Sequence, residues 1–178
     1  MLAGELYLGS DPELFAERAR ARRLLRAYNQ STEEELEQRG TLLTQLLGQV
    51  GTGVWIEPPF HCDYGSHIRL GDRVYMNFNC IILDCNAVVL GDDVFLGPGV
   101  HFYAATHPLD ADERIKGPEL ARPITVGAKT WIGGGAIICP GVTIGEGCTI
   151  GAGSVVTRDI PPYVFAAGNP CRVIRSLR

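Results

Sequence analysis

A histidine set between a threonine and a proline, Thr106-His107-Pro108, is the residue of this chain best suited to moving a proton. An imidazole titrates near neutrality and can act as a general base toward a weak nucleophile, while the proline fixes the backbone direction beside it. From these residues alone the alternative is a surface histidine in a flexible loop. Asn77, in Tyr75-Met76-Asn77-Phe78-Asn79, offers an amide that donates to or accepts from a hydroxyl, or else a left-handed corner of the kind asparagine tolerates. Asp84 stands next to a slip in the chain's rhythm, where a bulge re-aims side chains. Trp131 presents an indole that either packs on a ligand or shields a neighbouring segment. Arg18 lies on an apolar stripe and either points at a ligand or joins a solvated face with Arg20, Arg22, Arg23 and Arg26.

The four histidines, His61, His67, His101 and His107, form two pairs spaced by six. Three of them converging between subunits would make a zinc lyase, but a spacing of six carries the second member to another strand face. The six cysteines, Cys62, Cys80, Cys85, Cys139, Cys148 and Cys171, contain no C-x-x-C pair. Cys62, Cys80 and Cys148 read as small inward hydrophobes rather than metal ligands or disulfides. Cys85 and Cys139 are left open, and no cysteine is placed to carry an acyl group.

What must position these residues is a six-residue beat. An aliphatic residue recurs at Val126, Ile132, Ile138, Ile144, Ile150 and Val156, usually followed by glycine, with a small or branched residue four places on. The same beat runs through Leu70, Met76 and Ile82, slips by two at Asn86-Ala87, and resumes at Leu90, Leu96 and Phe102. Tyr64-Gly65 falls in phase with Leu70-Gly71. A helix of period 3.6 cannot keep one residue type facing one way every six residues, whereas short strands joined by tight corners can. The pattern is a repeat architecture whose core grows by stacking.

Three segments follow. Residues 1–53 form a helical cap, residues 54–160 the coil, and residues 161–178 a tail that Pro161-Pro162 separates from strand pairing. In the cap, Asp11 and Pro12 open a helix over 11–28. Ser31 with Glu34 gives a capping box for a second helix, whose buried side is Leu36, Leu43, Leu46, Leu47 and Val50 and which Gly51 to Gly53 ends. Within the coil the beat is lost over 103–123, a polar excursion of a length that usually serves a site.

Length and a 46% apolar composition fit one domain with a proper core. There is neither an apolar run of membrane-spanning length nor a signal-like N-terminus, so a soluble cytoplasmic protein without a membrane partner is expected. Net charge is −4, yet residues 123–178 carry five basic against two acidic side chains, leaving −7 for the rest. That asymmetry suggests an anionic ligand near the C-terminus, or scattered solvated arginines, and is too sparse for nucleic acid.

The segments Ala3-Gly4-Glu5-Leu6-Tyr7, Cys62-Asp63-Tyr64-Gly65, Tyr103 to Pro108, Trp131-Ile132-Gly133-Gly134, Pro140 to Gly145 and Gly168 to Ile174 resemble those of the maltose and galactoside O-acetyltransferases. The resemblance spans essentially the whole chain. It implies an all-β fold, a left-handed parallel β-helix of hexapeptide repeats with an N-terminal α-helical cap and one long excursion loop. It also implies acetyl-CoA as cosubstrate with no metal required, a sugar acceptor such as maltose or glucose, and a homotrimer with active sites between subunits. Carried over by position, His107 is the general base, Arg18, Asn77 and Asp84 bind the acceptor, and Gly134 offers a backbone N–H to the thioester oxyanion. Trp131 flanks the pantetheine arm, and Ala152, Thr157, Arg158, Arg172 and Arg175 line the coenzyme A site. Where some relatives place an acidic residue on the sugar, Gly9 stands here with Asp11 nearby, which leaves the sugar open. The alternatives are transfer to a non-sugar hydroxyl on an antibiotic or amino acid, the zinc lyase, and a coil that serves assembly alone.

Overall fold

The computed structural model describes all residues, 1–178. Its body is a left-handed parallel β-helix of about six turns, each turn giving one short strand to each of three flat faces. Face one stacks Gln49–Val50, Ile68–Leu70, Val88–Leu90, Ile124–Val126 and Thr143–Ile144. Face two stacks Trp55–Ile56, Tyr75–Met76, Phe95–Leu96, Trp131–Ile132, Thr149–Ile150 and Val164–Ala167, and face three stacks His61–Cys62, Ile81–Leu83, His101–Tyr103, Ile137–Ile138 and Val155–Val156.

In-register parallel pairing puts like on like, so the aliphatic beat becomes a continuous interior. Met76, Leu96, Ile132 and Ile150 lie in register on face two, and Ile82, Phe102, Ile138 and Val156 on face three. Every one of these side chains is shut off from solvent. The small residues of the beat fill the corners: Thr130 Oγ1 donates to the Gly145 carbonyl at 3.0 Å and Ser154 Oγ to the Gly151 carbonyl at 2.6 Å, so neither buried hydroxyl is orphaned. Glycine after the aliphatic residue reflects close approach between coils, since a Cβ on Gly127 would run into the backbone of Glu146 in the next turn.

The cap consists of α1 (Pro12–Asn29) and α2 (Leu36–Leu46). Asp11 caps α1, its Oδ1 accepting the Glu13 N–H at 2.8 Å. The helix is pinned to the first coil by Tyr28, whose hydroxyl donates to the Ile56 carbonyl, and by Asn29, which exchanges hydrogen bonds with the backbone of Phe60. The open end of the coil is thereby covered, as an exposed strand edge must be. No helix is long and apolar enough to cross a membrane.

Four details differ from the sequence reading. The Ser31/Glu34 capping box is absent: Glu35 turns back to the Thr32 N–H at 2.7 Å, while Ser31 receives Arg39, a buried arginine whose guanidinium also reaches the Ser31 carbonyl. Consequently α2 starts at Leu36, which is exposed, and ends at Leu46, so Leu47 and Val50 are buried or half-buried outside it. The coil begins at Gln49–Val50, inside the segment assigned to the cap, and its first beat is Val50, Ile56, Cys62. Cys62 therefore fills an aliphatic slot opposite Ile82, and Tyr64-Gly65 belongs to a second two-residue slip rather than to the beat. Finally, Pro161-Pro162 do not end pairing: Val164–Ala167 joins face two beside Thr149–Ile150, and Arg172–Ser176 folds back on it antiparallel.

Candidate active site

All three interruptions of the beat stack on one edge of the prism, where face three turns into face one: residues 63–67, 84–87 and 104–123. Asp84 stitches the first two together. Its carboxylate is wholly buried and accepts the N–H groups of Asp63 at 3.1 Å, Tyr64 at 2.9 Å and His67 at 3.3 Å, and its carbonyl meets His67 Nδ1 at 2.7 Å. Burial raises this carboxyl above the usual range, opposed by the backbone donors and His67. Asp84 was expected to touch the acceptor; its oxygens instead face inward on the main chain, and its effect on any ligand passes through the turn it holds.

The excursion is not a bare loop. Ala105–Thr106 and Pro118–Ala121 form an antiparallel hairpin around the short helix α3 (Ala111–Arg114), and Tyr7–Leu8 adds a third strand. Between this sheet, α1 and the turn at Asp63 lies a cavity of about 280 Å³ bordered by Gly9, Arg18, Arg22, Asp63, Tyr64, Cys85 and Glu119. Arg18 spans its floor, donating to the Tyr64 hydroxyl at 2.7 Å and the Gly9 carbonyl at 2.5 Å. Arg18 therefore borders this cavity together with Arg22, Asp63, Cys85 and Glu119, which sequence reasoning did not single out for a site; the only trace of the last three is their place in segments that break the beat. Asp11 is exposed, its Oδ1 is occupied with capping α1, and it does not border this cavity.

His107 follows the first strand of the hairpin. Its ring is exposed, at an open cavity with Thr106, Leu120, Arg122 and Pro140, and Nδ1 lies 3.4 Å from the Pro118 carbonyl. A proton on Nδ1 directed at that carbonyl leaves Nε2 to accept another. His67 and His101 are engaged by the Asp84 carbonyl and the Tyr103 hydroxyl, and no three histidine, cysteine or acidic side chains of the chain gather into a metal-holding group. Burial pushes the Cys80 thiol up to about 11 and Cys85 to about 12, which keeps both protonated and poorly nucleophilic.

The remaining expected residues lie elsewhere. The edge where face two turns into face three stacks Phe78, Pro98, Gly134 and Ala152, linked by Gly99 N–H to the Phe78 carbonyl, Gly135 N–H to the Pro98 carbonyl and Gly153 N–H to the Gly134 carbonyl. Asn77 belongs to this edge. Its Oδ1 accepts the Phe78 N–H at 2.7 Å, and the left-handed corner falls at Asn79 with φ 61°. Gly133 and Gly135 donate to the Ile150 and Pro98 carbonyls, but the Gly134 N–H has no acceptor within the chain. A Cβ there would come 3.0 Å from the Pro98 carbonyl oxygen. Trp131, 55% exposed, stands outward on face two in register with Phe95. Arg172 and Arg175 project from the last strand, while Thr157 and Arg158 lie on the other edge, one coil beyond Cys139-Pro140. All four, with Ala152, are exposed.

The expected site is therefore split. His107, Arg18, Thr157 and Arg158 mark one edge; Asn77, Gly134, Ala152 and, beside it, Trp131 mark another. One face separates them, roughly 15–20 Å at about 3.3 Å per residue.

Residues 1–51 match the maltose acetyltransferase hexapeptide capping motif and residues 123–158 the bacterial transferase hexapeptide of six repeats. Nodulation protein L of Rhizobium meliloti (strain 1021) is 51% identical over 97% of this chain and 94% of its own length. Galactoside O-acetyltransferase of Escherichia coli (strain K12) is 43% identical over 98% and 86%. Among solved structures, a maltose O-acetyltransferase from Clostridium difficile 630 superposes with a TM-score of 0.98 at 46% identity, over 99% of this chain and 95% of that one. A galactoside acetyltransferase in complex with coenzyme A gives 0.97 at 43% identity, over 99% and 88%.

Proposed function

Because the chain belongs to the maltose and galactoside O-acetyltransferase family, we propose that it moves the acetyl group of acetyl-CoA onto a hydroxyl of a sugar such as maltose or glucose. The observation that carries this reading is His107, an exposed imidazole on the same hairpin that walls a cavity rich in hydrogen-bonding groups. Nε2 takes the proton of the acceptor hydroxyl as its oxygen attacks the thioester carbonyl, an assistance worth about 10²–10⁴-fold. The unpaired Gly134 N–H receives the developing oxyanion, and one such donor contributes about 10²–10³-fold. Collapse of the tetrahedral species expels the coenzyme A thiolate, which takes a proton back from the imidazolium. No acyl-enzyme and no metal enters these steps.

The two marked edges lie on opposite sides of a face, so one chain does not bring His107 to Gly134. A homotrimer of parallel prisms sets one edge of a subunit against the other edge of its neighbour, which makes three grooves. In each groove Trp131 flanks the pantetheine, Ala152 and Thr157 leave room for it, and Arg158, Arg172 and Arg175 meet the phosphates. Arg18 and Asn77 contact the acceptor. A cytoplasmic location fits the need for acetyl-CoA.

The test is acetyl-CoA turnover across maltose, glucose, methyl galactoside, chitin oligomers, an aminoglycoside and serine. Acetylation of a sugar hydroxyl is expected; turnover confined to the last two would contradict the sugar reading. A second expectation concerns the cofactor groove: Trp131→Ala raises KM for acetyl-CoA about fivefold or more through lost aromatic packing, with a smaller change in kcat. An unchanged KM would remove Trp131 from the groove.

A further inference from the structure

Arg39 is a buried cation without a counter-ion. It projects from α2 into the junction between the cap and the first coil, is 7% exposed, and enters none of the chain's ion pairs. Its Nε and Nη2 donate to the hydroxyl and carbonyl of Ser31 at 2.8 and 2.9 Å, which leaves the N–H groups of Nη1. No side-chain nitrogen of the chain is both sealed from solvent and unpaired, so Nη1 opens onto the cavity that Arg39 lines. The neighbouring carboxylates are engaged elsewhere: Glu35 accepts the N–H and hydroxyl of Thr32, and Glu57 accepts the Trp55 indole N–H at 2.8 Å. A charge withdrawn from water to this depth is costly unless an anion meets it.

The cavity measures about 180 Å³, and the rest of its wall is apolar: Tyr28, Leu36, Leu43, Val54, Trp55 and Ile56, completed by Gly40. A glycine inside a helix costs stability relative to alanine. No packing contact demands one here, since a Cβ on Gly40 would meet nothing within 4 Å. Its bare backbone leaves the approach to the cavity unobstructed. The place is separate from both marked edges. Trp55 lies three coils from Trp131 along face two, about 14 Å at about 4.8 Å per strand, and the cavity shares no residue with the one beside the hairpin.

From one unmatched cation inside an apolar enclosure we infer that the junction of cap and coil is a binding site for a small monocarboxylate with a ring-bearing, apolar body. A single guanidinium balances a single negative charge. A phosphate dianion would bring surplus charge and no surface for Trp55 to cover, and a neutral sugar would leave the cation unmatched and set hydroxyls against aliphatic walls. The acid places its carboxylate on Nη1 and its ring against Trp55 and Leu36, both half-exposed without it. The volume suits one ring rather than a drug-sized molecule. Because the walls come from α2 and from the first strand of face two, the bound acid ties cap to coil.

Thermal melts and calorimetry of the full chain, with benzoate as the probe at constant ionic strength, test this site. Benzoate is expected to bind once per chain and to raise Tm by about 3 °C or more when it exceeds its Kd about tenfold. Benzyl alcohol, which keeps the ring and loses the charge, and acetate, which keeps the charge and loses the ring, are each expected to bind at least about tenfold more weakly. Saturating coenzyme A leaves the benzoate isotherm unchanged. Arg39→Gln lowers benzoate affinity at least about tenfold. Gly40→Leu, which sets a side chain at the approach, does the same while its own Tm equals or exceeds that of wild type, as replacing a helix-interior glycine favours α2. If Arg39→Gln fails to fold, Gly40→Leu decides alone. Absence of saturable benzoate binding, displacement of benzoate by coenzyme A, benzyl alcohol binding as tightly as benzoate, or unchanged affinity in Gly40→Leu would each overturn the site.

Discussion

Replacing His107 with alanine is expected to lower acetyl transfer at least a hundredfold at saturating substrates while leaving fold and oligomeric state unchanged. The size follows from the loss of general-base assistance to a sugar hydroxyl, about 10²–10⁴-fold. Structural neutrality follows from the site: the ring is exposed and its one hydrogen bond, Nδ1 to the Pro118 carbonyl, is long at 3.4 Å. Coenzyme A affinity is expected to hold, because the loss lies in the proton transfer. Circular dichroism and size-exclusion chromatography of the variant, beside single-turnover kinetics, provide the check. Turnover within a few-fold of wild type would remove His107 from the reaction.

The second large effect is structural. Asp84→Ala strips acceptors from three backbone N–H groups at a wholly buried position. Orphaned donors of this kind cost about 1–3 kcal/mol each; allowing for the unfavourable burial of the carboxylate that is also removed, the net loss is on the order of 3–5 kcal/mol. In a chain of this size that lowers Tm by about 10 °C or more. Acceptor binding falls with it, since the turn at Asp63 and Tyr64 walls the cavity. The pH dependence has a defined sign. Burial raises the Asp84 carboxyl in the folded state, so protonation favours folding, and wild type gains on Asp84→Ala as pH falls through the raised value toward the ordinary carboxylate range. Thermal melts of both proteins across weakly acidic pH measure the difference. A gap that narrows on acidification would show that the backbone donors outweigh burial and hold the carboxyl below its ordinary value.

The scaffold was largely legible because a period of six admits few explanations. Val126 to Val156 all became interior, and the excursion was visible as the place where that rhythm failed. Phase was harder wherever the chain inserts residues. Tyr64 imitates the beat by lying six before Leu70, yet the true first coil is Val50, Ile56, Cys62, and the same two-residue slip occurs twice. Local signals also misled when a tertiary contact overrode them: Ser31 reads as a helix cap but serves Arg39, and Pro161-Pro162 reads as a stop although the chain re-enters face two at Val164.

The cavity between α1 and the hairpin was the least legible part. Its groups come from α1, two widened turns and the hairpin, and their meeting depends on contacts such as Tyr7 to Glu119, which are 112 residues apart. No local spacing encodes that. Gly9 marks the point in the sequence where an acidic side chain is missing, but only the register between its strand and the hairpin reveals which carboxylate occupies the space. Asp84 shows the converse, a residue that sequence reads as a ligand contact and that the fold employs to fasten a turn.

The proposed reaction needs edges of two different subunits in one groove, and mixing two defective chains tests this directly. Ala152→Trp blocks the cofactor edge at an exposed turn, and His107→Ala removes the base from the other edge. Equal amounts of the two, unfolded and refolded together, give mixed trimers in which about a quarter of the grooves carry neither substitution. Acetyl transfer near that fraction of wild type is the predicted result. If the mixture stays as inactive as each variant alone while exchanging subunits fully, His107 and Ala152 serve a site within one chain, and the intersubunit groove is wrong.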